Sequence, residues 1–241
     1  MSPSAPPKTK NSAWSVRPLI PGKWRTLSLA DACAVIGRFT AYEAANEYPQ
    51  LTANHTAFQQ VRILPLCSLL GWLLAEMETL LDDGNTGFVA ALMGPGGRIL
   101  PMNWSSDPII SAARGSLPWP PDDAQAREFC LLFCNLLSSG EQRFHIAETL
   151  ADVDLAPDLP TKPLKAFRKA LKPLTLAREK NEVYANATMI YAGQVAAVRL
   201  QILPTCIIEM SDDNALGTAH VKNEELRGLI RIVHPTAFEQ V

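Results

Sequence analysis

Apolar side chains recur at helical spacing from Leu29 through Ala32, Val35, Ile36 and Phe39, which lays them along one stripe of an amphipathic helix. Ser28 stands before this run as an N-cap, with Asp31 three residues on in place of the Glu of a capping box. The helix should stop before Pro49. A second helical region is predicted over residues 53–81, kinked or broken near Pro65. Its later half, Leu66 to Leu81, carries Leu69, Leu70, Trp72, Leu73, Leu74, Met77 and Leu80 nearly all the way round. A helix with that pattern must be buried on most sides, so it is the candidate central core helix.

The pattern then shortens. Phe88 to Met93 and Arg98 to Met102 flank Gly94-Pro95-Gly96-Gly97, which predicts a β-hairpin. Residues 103–121 read as a loop rich in proline. Asp122 or Asp123 caps a helix to about Ser138, with Phe129, Leu132, Phe133, Leu136 and Leu137 inward and Gly140 as its stop. Arg143 to Glu148 is a predicted strand, and the acidic stretch from Asp152 to Pro160 a connector. A short basic helix should begin at Pro163, where a missing N–H costs nothing, and bend or end at Pro173. Its apolar face is Leu164, Phe167, Leu171 and Leu174. Strands follow over Val183–Tyr191, Val195–Leu203, Cys206–Met210 and Gly228–Val233, with a turn at Ala192-Gly193. Ala196, Val198, Leu200 and Ile202 alternate with Ala197, Arg199 and Gln201, which sets one face in and one face out.

The expected fold class is therefore α+β: N-terminal helices with a β-hairpin, then a C-terminal antiparallel sheet packed with the short basic helix. Residues 1–13 form a polar tail expected to be flexible, and 14–241 a single α+β domain with a sub-boundary near 152–162. At 241 residues and 47% hydrophobic, the chain has enough apolar side chains for a substantial core. No apolar run reaches the roughly 20 residues of a membrane span. With five scattered cysteines and no apolar leader, the expectation is a cytoplasmic protein with reduced thiols.

Charge adds one feature. Residues 162–180 hold seven of the 22 Lys and Arg and one of the 24 acids, so the rest of the chain is negative by eight. Lys162, Lys165, Lys169 and Lys172 share a helical face opposite the apolar stripe, and Arg168 lies beside them. Such a stripe suits phosphate or an acidic protein surface. It is equally the ordinary solvated face of a surface helix, and no aromatic is interleaved for base stacking.

Other constellations are incomplete. Asp152, Asp154 and Asp158, and Glu209, Asp212 and Asp213, could offer oxygens to a divalent ion. No Gly-Ser phosphate loop precedes the first set, and Met210-Ser211 follow Glu209 where a nuclease would place its Lys. Turn acids also serve turns alone. His145 and Glu148 should point to opposite faces of a strand, and His55, His220 and His234 have no ligand spacing; Glu43 and Glu47 lie one helix before His55. Cys130 and Cys134 fall on a packed helix face, without the second pair a zinc site needs. The glycine run lacks Gly-Lys-Ser/Thr, and no nucleophile elbow is present.

No catalytic, metal or cofactor site is assigned. The first expectation is a non-catalytic binding or assembly subunit of a larger cytoplasmic complex, joined to a protein partner or to itself, with edge strands near Gly228–Val233 as contacts and no membrane association. The second is nucleic-acid backbone binding through Lys162, Lys165, Arg168, Lys169 and Lys172. The third is a metal-dependent enzyme using Asp152, Asp154, Asp212 and Asp213.

Overall fold

The computed structural model describes residues 14, 16–45, 55–81, 83–140, 142–152, 161–191, 194–218 and 224–233. Among them the chain is a mixture of helices with mostly antiparallel sheet, as the α+β expectation held. The predicted tail, Pro49, Asp154, Asp158, His220, His234 and the turn at 192–193 lie outside the described residues.

A short strand β1 (Arg25–Thr26) leads into α1 (Leu29–Ala45). Ser28 caps α1 as expected: its Oγ accepts from the Asp31 N–H at 3.3 Å and donates to the Asp31 carboxylate at 2.8 Å. The predicted helical region 53–81 is instead a pair of strands, β2 (His55–Pro65) and β3 (Leu73–Leu81), joined by a turn around Ser68–Gly71. The apolar-all-round pattern belongs to a strand buried on both faces, a pattern that a buried helix shares. Next come β4 (Thr86–Met93) and β5 (Ile99–Pro101), the predicted hairpin. Its glycine turn is required by Trp72, since a Cβ on Gly94 would lie 2.7 Å from that ring.

Within the predicted loop, a short helix α2 (Asp107–Ala113) buries Ile109 and Ala112. α3 (Asp123–Asn135) starts with a full capping box: Asp122 accepts from the Gln125 N–H while the Gln125 side chain accepts from the Asp122 N–H. It ends three residues before Ser138. Gly140 is not its stop but the turn of a small hairpin, β6 (Ser138–Ser139) with β7 (Gln142–Arg143). The predicted strand 143–148 is thus divided between β7 and β8 (His145–Ile146).

α4 (Thr161–Ala170) is the basic helix, with Pro163 as its third residue and Pro173 beyond its end. Lys172 therefore falls past the helix, and Arg178 sits in the following strand, so the stretch 162–180 is not one helix. Strands β9 (Thr175–Glu179), β10 (Glu182–Tyr191), β11 (Gln194–Ile202) and β12 (Ile208–Thr218) then form an antiparallel sheet with β8. The last hairpin, β13 (Glu224–Arg227) and β14 (Ile230–Val233), does not extend this sheet. β14 pairs with the first half of β4, giving the order β1-β2-β3-β4-β14-β13, with β5 on the second half of β4.

The N-terminal part is therefore sheet with few helices, not helices with a hairpin. One face of the seven-stranded sheet (Val61, Ile63, Met77, Val89, Ile230, Ile232) is covered by Ala32 and Phe39 of α1. The other face (Leu64, Leu74, Leu92) shares a core with α3 and with Val183, Ala185, Val198 and Leu200 of the five-stranded sheet. α3 is buried on every side from Phe129 to Asn135, so it takes the central place predicted for residues 66–81. Leu171 and the half-buried Phe167 pack with Ile190 and Val195 on the far face of the five-stranded sheet. No helix among the described residues is long and apolar enough to cross a membrane.

Candidate functional site

Of the predicted basic residues, Lys165, Arg168, Lys169 and Lys172 are exposed. Among the described residues none of the four makes an ion pair. Lys162 lies in the first turn of α4, its side chain outside the described residues. Phe167 and Leu171 face inward, so the amphipathic reading of this segment fits its packing. Arg178 is used elsewhere: its guanidinium donates to Asp123 at 2.8 Å and to the Pro121 carbonyl at 2.7 Å, which ties β9 to the start of α3.

The other candidates serve structural ends. Asp152 accepts from the N–H groups of Glu148 and Thr149, at 3.0 and 2.7 Å, and from the Thr149 hydroxyl at 2.9 Å. It is a turn acid. His145 bonds through Nε2 to the Asp152 carbonyl, and Glu148 instead pairs with Arg127 and accepts the Leu174 N–H. His55 opens β2 and no helix. Among the described residues no three His, Cys, Asp or Glu side chains converge as a metal site would require.

All five cysteines are free. Burial pushes the Cys134 thiol up to about 12 and holds Cys130 well above its ordinary range. Cys67 is pushed up to about 11, by burial first and then by the neighbouring Glu128 carboxylate. A thiol held protonated is a poor nucleophile.

Sequence reasoning missed the densest set of charges. Arg62 on β2 lies across from Glu76 on β3 and Ala90 on β4, and Gln60 across from Glu78, Phe88 and Arg231. This puts two arginines and two glutamates on the sheet face that meets the shared core. Glu76 is 0% exposed and Arg62 4%. Arg62 donates from Nε to Glu76 at 2.7 Å and from a terminal nitrogen to the Val16 carbonyl at 3.2 Å. Its guanidinium lies 4.1 Å from the Trp14 ring and 5.2 Å from that of Trp24. Glu76 also accepts the Leu19 N–H at 2.6 Å, and Asn135 donates to the Leu19 carbonyl at 2.9 Å. Burial lowers the Arg62 pKa, which Glu76 raises again and the nearby Arg231 lowers further. The set is a buried clamp that holds Trp14, Val16, Leu19 and Trp24 on the sheet. A lone charge inside each apolar run, Val61-Arg62-Ile63 and Ala75-Glu76-Met77, was its signal in the sequence.

The open surface is elsewhere. β12 is eleven residues long and pairs only with β11 among the described strands. Residues 209–217 are exposed throughout, including Met210 at 51% and Leu216 at 42%. Register shifts against β11 leave Ser211 and Leu216 as bulges. Glu209, Asp212 and Asp213 make no ion pair among the described residues. By contrast β14, expected as an edge, is interior, hydrogen-bonded to β4 on one side and β13 on the other.

Set against protein-family models, curated proteins and solved structures, the chain matches none.

Proposed function

We propose that the protein is a non-catalytic binding or assembly subunit of a cytoplasmic complex, and that it joins its partner by accepting a strand at the outer edge of β12. The observation that carries this reading is β12 itself: long, bonded on one side among the described strands, and exposed on both faces. A strand of that kind presents a row of backbone donors and acceptors to whatever extended chain meets it. β1, β5, β8, β9 and β13 also pair with a single strand among those described, but the longest of them, β9, runs only five residues. The bulges at Ser211 and Leu216 limit indiscriminate pairing, which favours a specific guest.

Successive residues of a strand aim their N–H groups to opposite sides. Of Asp213→Pro and Asn214→Pro, one therefore removes a donor from the β11 ladder and the other a donor from the open edge. The variant that keeps its melting temperature should lose its partner in co-purification from native cells, or its own oligomer in sedimentation. Retained association in that variant sinks the proposal.

A second reading, binding of nucleic-acid backbone through Lys162, Lys165, Arg168, Lys169 and Lys172, draws support from the last four, which are exposed and make no ion pair among the described residues. Lys165, Lys169 and Lys172 exchanged together for Glu should abolish salt-dependent binding to a nucleic-acid duplex at unchanged melting temperature. Binding that persists, or that ignores salt, removes this reading.

A further inference from the structure

We infer that the guest strand of β12 is an extended segment of another protein with Lys or Arg at alternate positions and apolar residues between them. The inference rests on the edge-pairing reading above and concerns what the edge selects.

The register fixes which β12 residues share a face. Glu209 stands opposite Gln201, and Gln201 opposite Tyr184; Asp212 stands opposite Arg199, and Arg199 opposite Asn186. These belong to the outer face of the five-stranded sheet, as do Glu179 and Glu182, which face each other across β9 and β10. The strand residues at the Glu209–Asp212 end of the outer face are thus Glu179, Glu182, Glu209 and Asp212 against Arg199, whose guanidinium is already bonded to Glu179 and lies 4.1 Å from the Tyr184 ring. Tyr184 donates its hydroxyl to Glu182 at 2.7 Å. The basic residues of α4 belong to the other end of this face, where Phe167 and Leu171 pack on Ile190 and Val195 and where Val195 stands opposite Gly217. At the Glu209–Asp212 end acids outnumber the single arginine.

The inner face differs. Met210 stands opposite the buried Leu200 and Ala215 opposite Ala196, so both continue the row that forms the shared core. They are exposed because β12 runs past what covers its neighbours. Asp213, opposite Val198, puts one more carboxylate on this side. A strand laid along β12 alternates its side chains between the two faces. Its outward residues would meet Glu209 and Asp212, and its inward residues would cover Met210 and Ala215.

A second copy of this chain fits poorly as the guest. Pairing β12 with β12 about its centre would bring Asp212 and Asp213 toward the same residues of the other copy. Like charges directly opposite destabilise a cross-strand pair. The basic residues of α4 are on a helix and cannot supply a strand.

The test uses the full chain and short labelled synthetic peptides, read by fluorescence anisotropy. One alternates Lys with Val, a second alternates Glu with Val, and a third keeps the Lys composition but carries prolines that forbid a strand. The Lys peptide should bind at least tenfold tighter than either of the others, weakening with salt. Exchange of Glu209 and Asp212 for Lys should transfer the preference to the Glu peptide, at unchanged melting temperature. Equal binding of the Lys peptide and its proline form overturns the inference, because charge alone would then suffice. So does a preference that survives the charge reversal. If the edge-proline variant loses a natural partner or a dimer while no peptide is preferred, the guest chemistry fails and the edge reading stands. If neither partner nor peptide depends on β12, both fall together.

Discussion

β3 and β12 are strands of similar length, nine and eleven residues, each with acids in its middle, and they are opposites in environment. β3 lies between β2 and β4, and all but its first and eighth residues are buried. Among the described strands β12 is bonded on one side only, and it is exposed along nearly its whole length. The acids of β3 are consumed: Glu76 by Arg62 and the Leu19 N–H, Glu78 by Gln60. Those of β12 face water. A charge at a strand centre therefore has two meanings, a buried clamp or an open contact, and only the neighbours of the strand distinguish them.

Removing one acid from each strand separates the two environments most strongly. Glu76→Ala should cost about 3–5 kcal/mol in urea unfolding, because it leaves the Arg62 guanidinium buried without its counter-charge. Asp212→Ala should stay within about 0.5 kcal/mol, as surface changes do. Equal losses would erase the distinction. Methionines give the next contrast. Met77→Ala, in the covered core of β3, should lose about 2–5 kcal/mol. Met210→Ala on β12 should lose less than about 0.5 kcal/mol, and a large loss there would mean that Met210 is covered after all.

Amide hydrogen exchange sharpens the same point without mutation. Amides of β12 that face the open edge should exchange well before any in β3, since no ladder protects them; binding of a guest strand should slow them. Protection of all β12 amides in the isolated chain would show the edge already paired.

A separate contrast concerns thiols. Burial raises the Cys134 pKa to about 12 from an ordinary value of 9.0, so the fold holds the neutral form. The stability this contributes is complete below about pH 9 and is lost as pH rises toward 12, while the unfolded chain ionises first. The stability of Cys134→Ala should accordingly fall less steeply than that of the parent across that window. Alkylation at pH 8 should reach the exposed Cys33 before the buried Cys130 and Cys134.

How much of this was legible varies with the range of the interactions. The capped starts of α1 and α3, the hairpin around Gly94–Gly97 and the alternation along β11 all follow from residues within a few positions of one another. Residues 66–81 did not, because a segment apolar on every side satisfies a buried helix and a doubly covered strand equally. The ladder to β2 decides it, with Leu64 across from Leu74 and Val61 across from Met77. The basic stretch kept its apolar face at Phe167 and Leu171, but Arg178 was drawn off to Asp123, a partner 55 residues away.

The sequence by itself determined where short elements begin and turn, which helix faces are apolar, and the uneven distribution of charge, since these follow from backbone sterics, capping and periodicity. Tertiary structure alone decided that Ile230–Val233 returns to β4 and is interior, that β12 is left as the edge, and that Arg62 and Glu76 are buried together. Strand pairing joins residues far apart in the chain through backbone groups common to every amino acid. Which strand lies outermost, and which charge is sealed in, is set by where the other strands go.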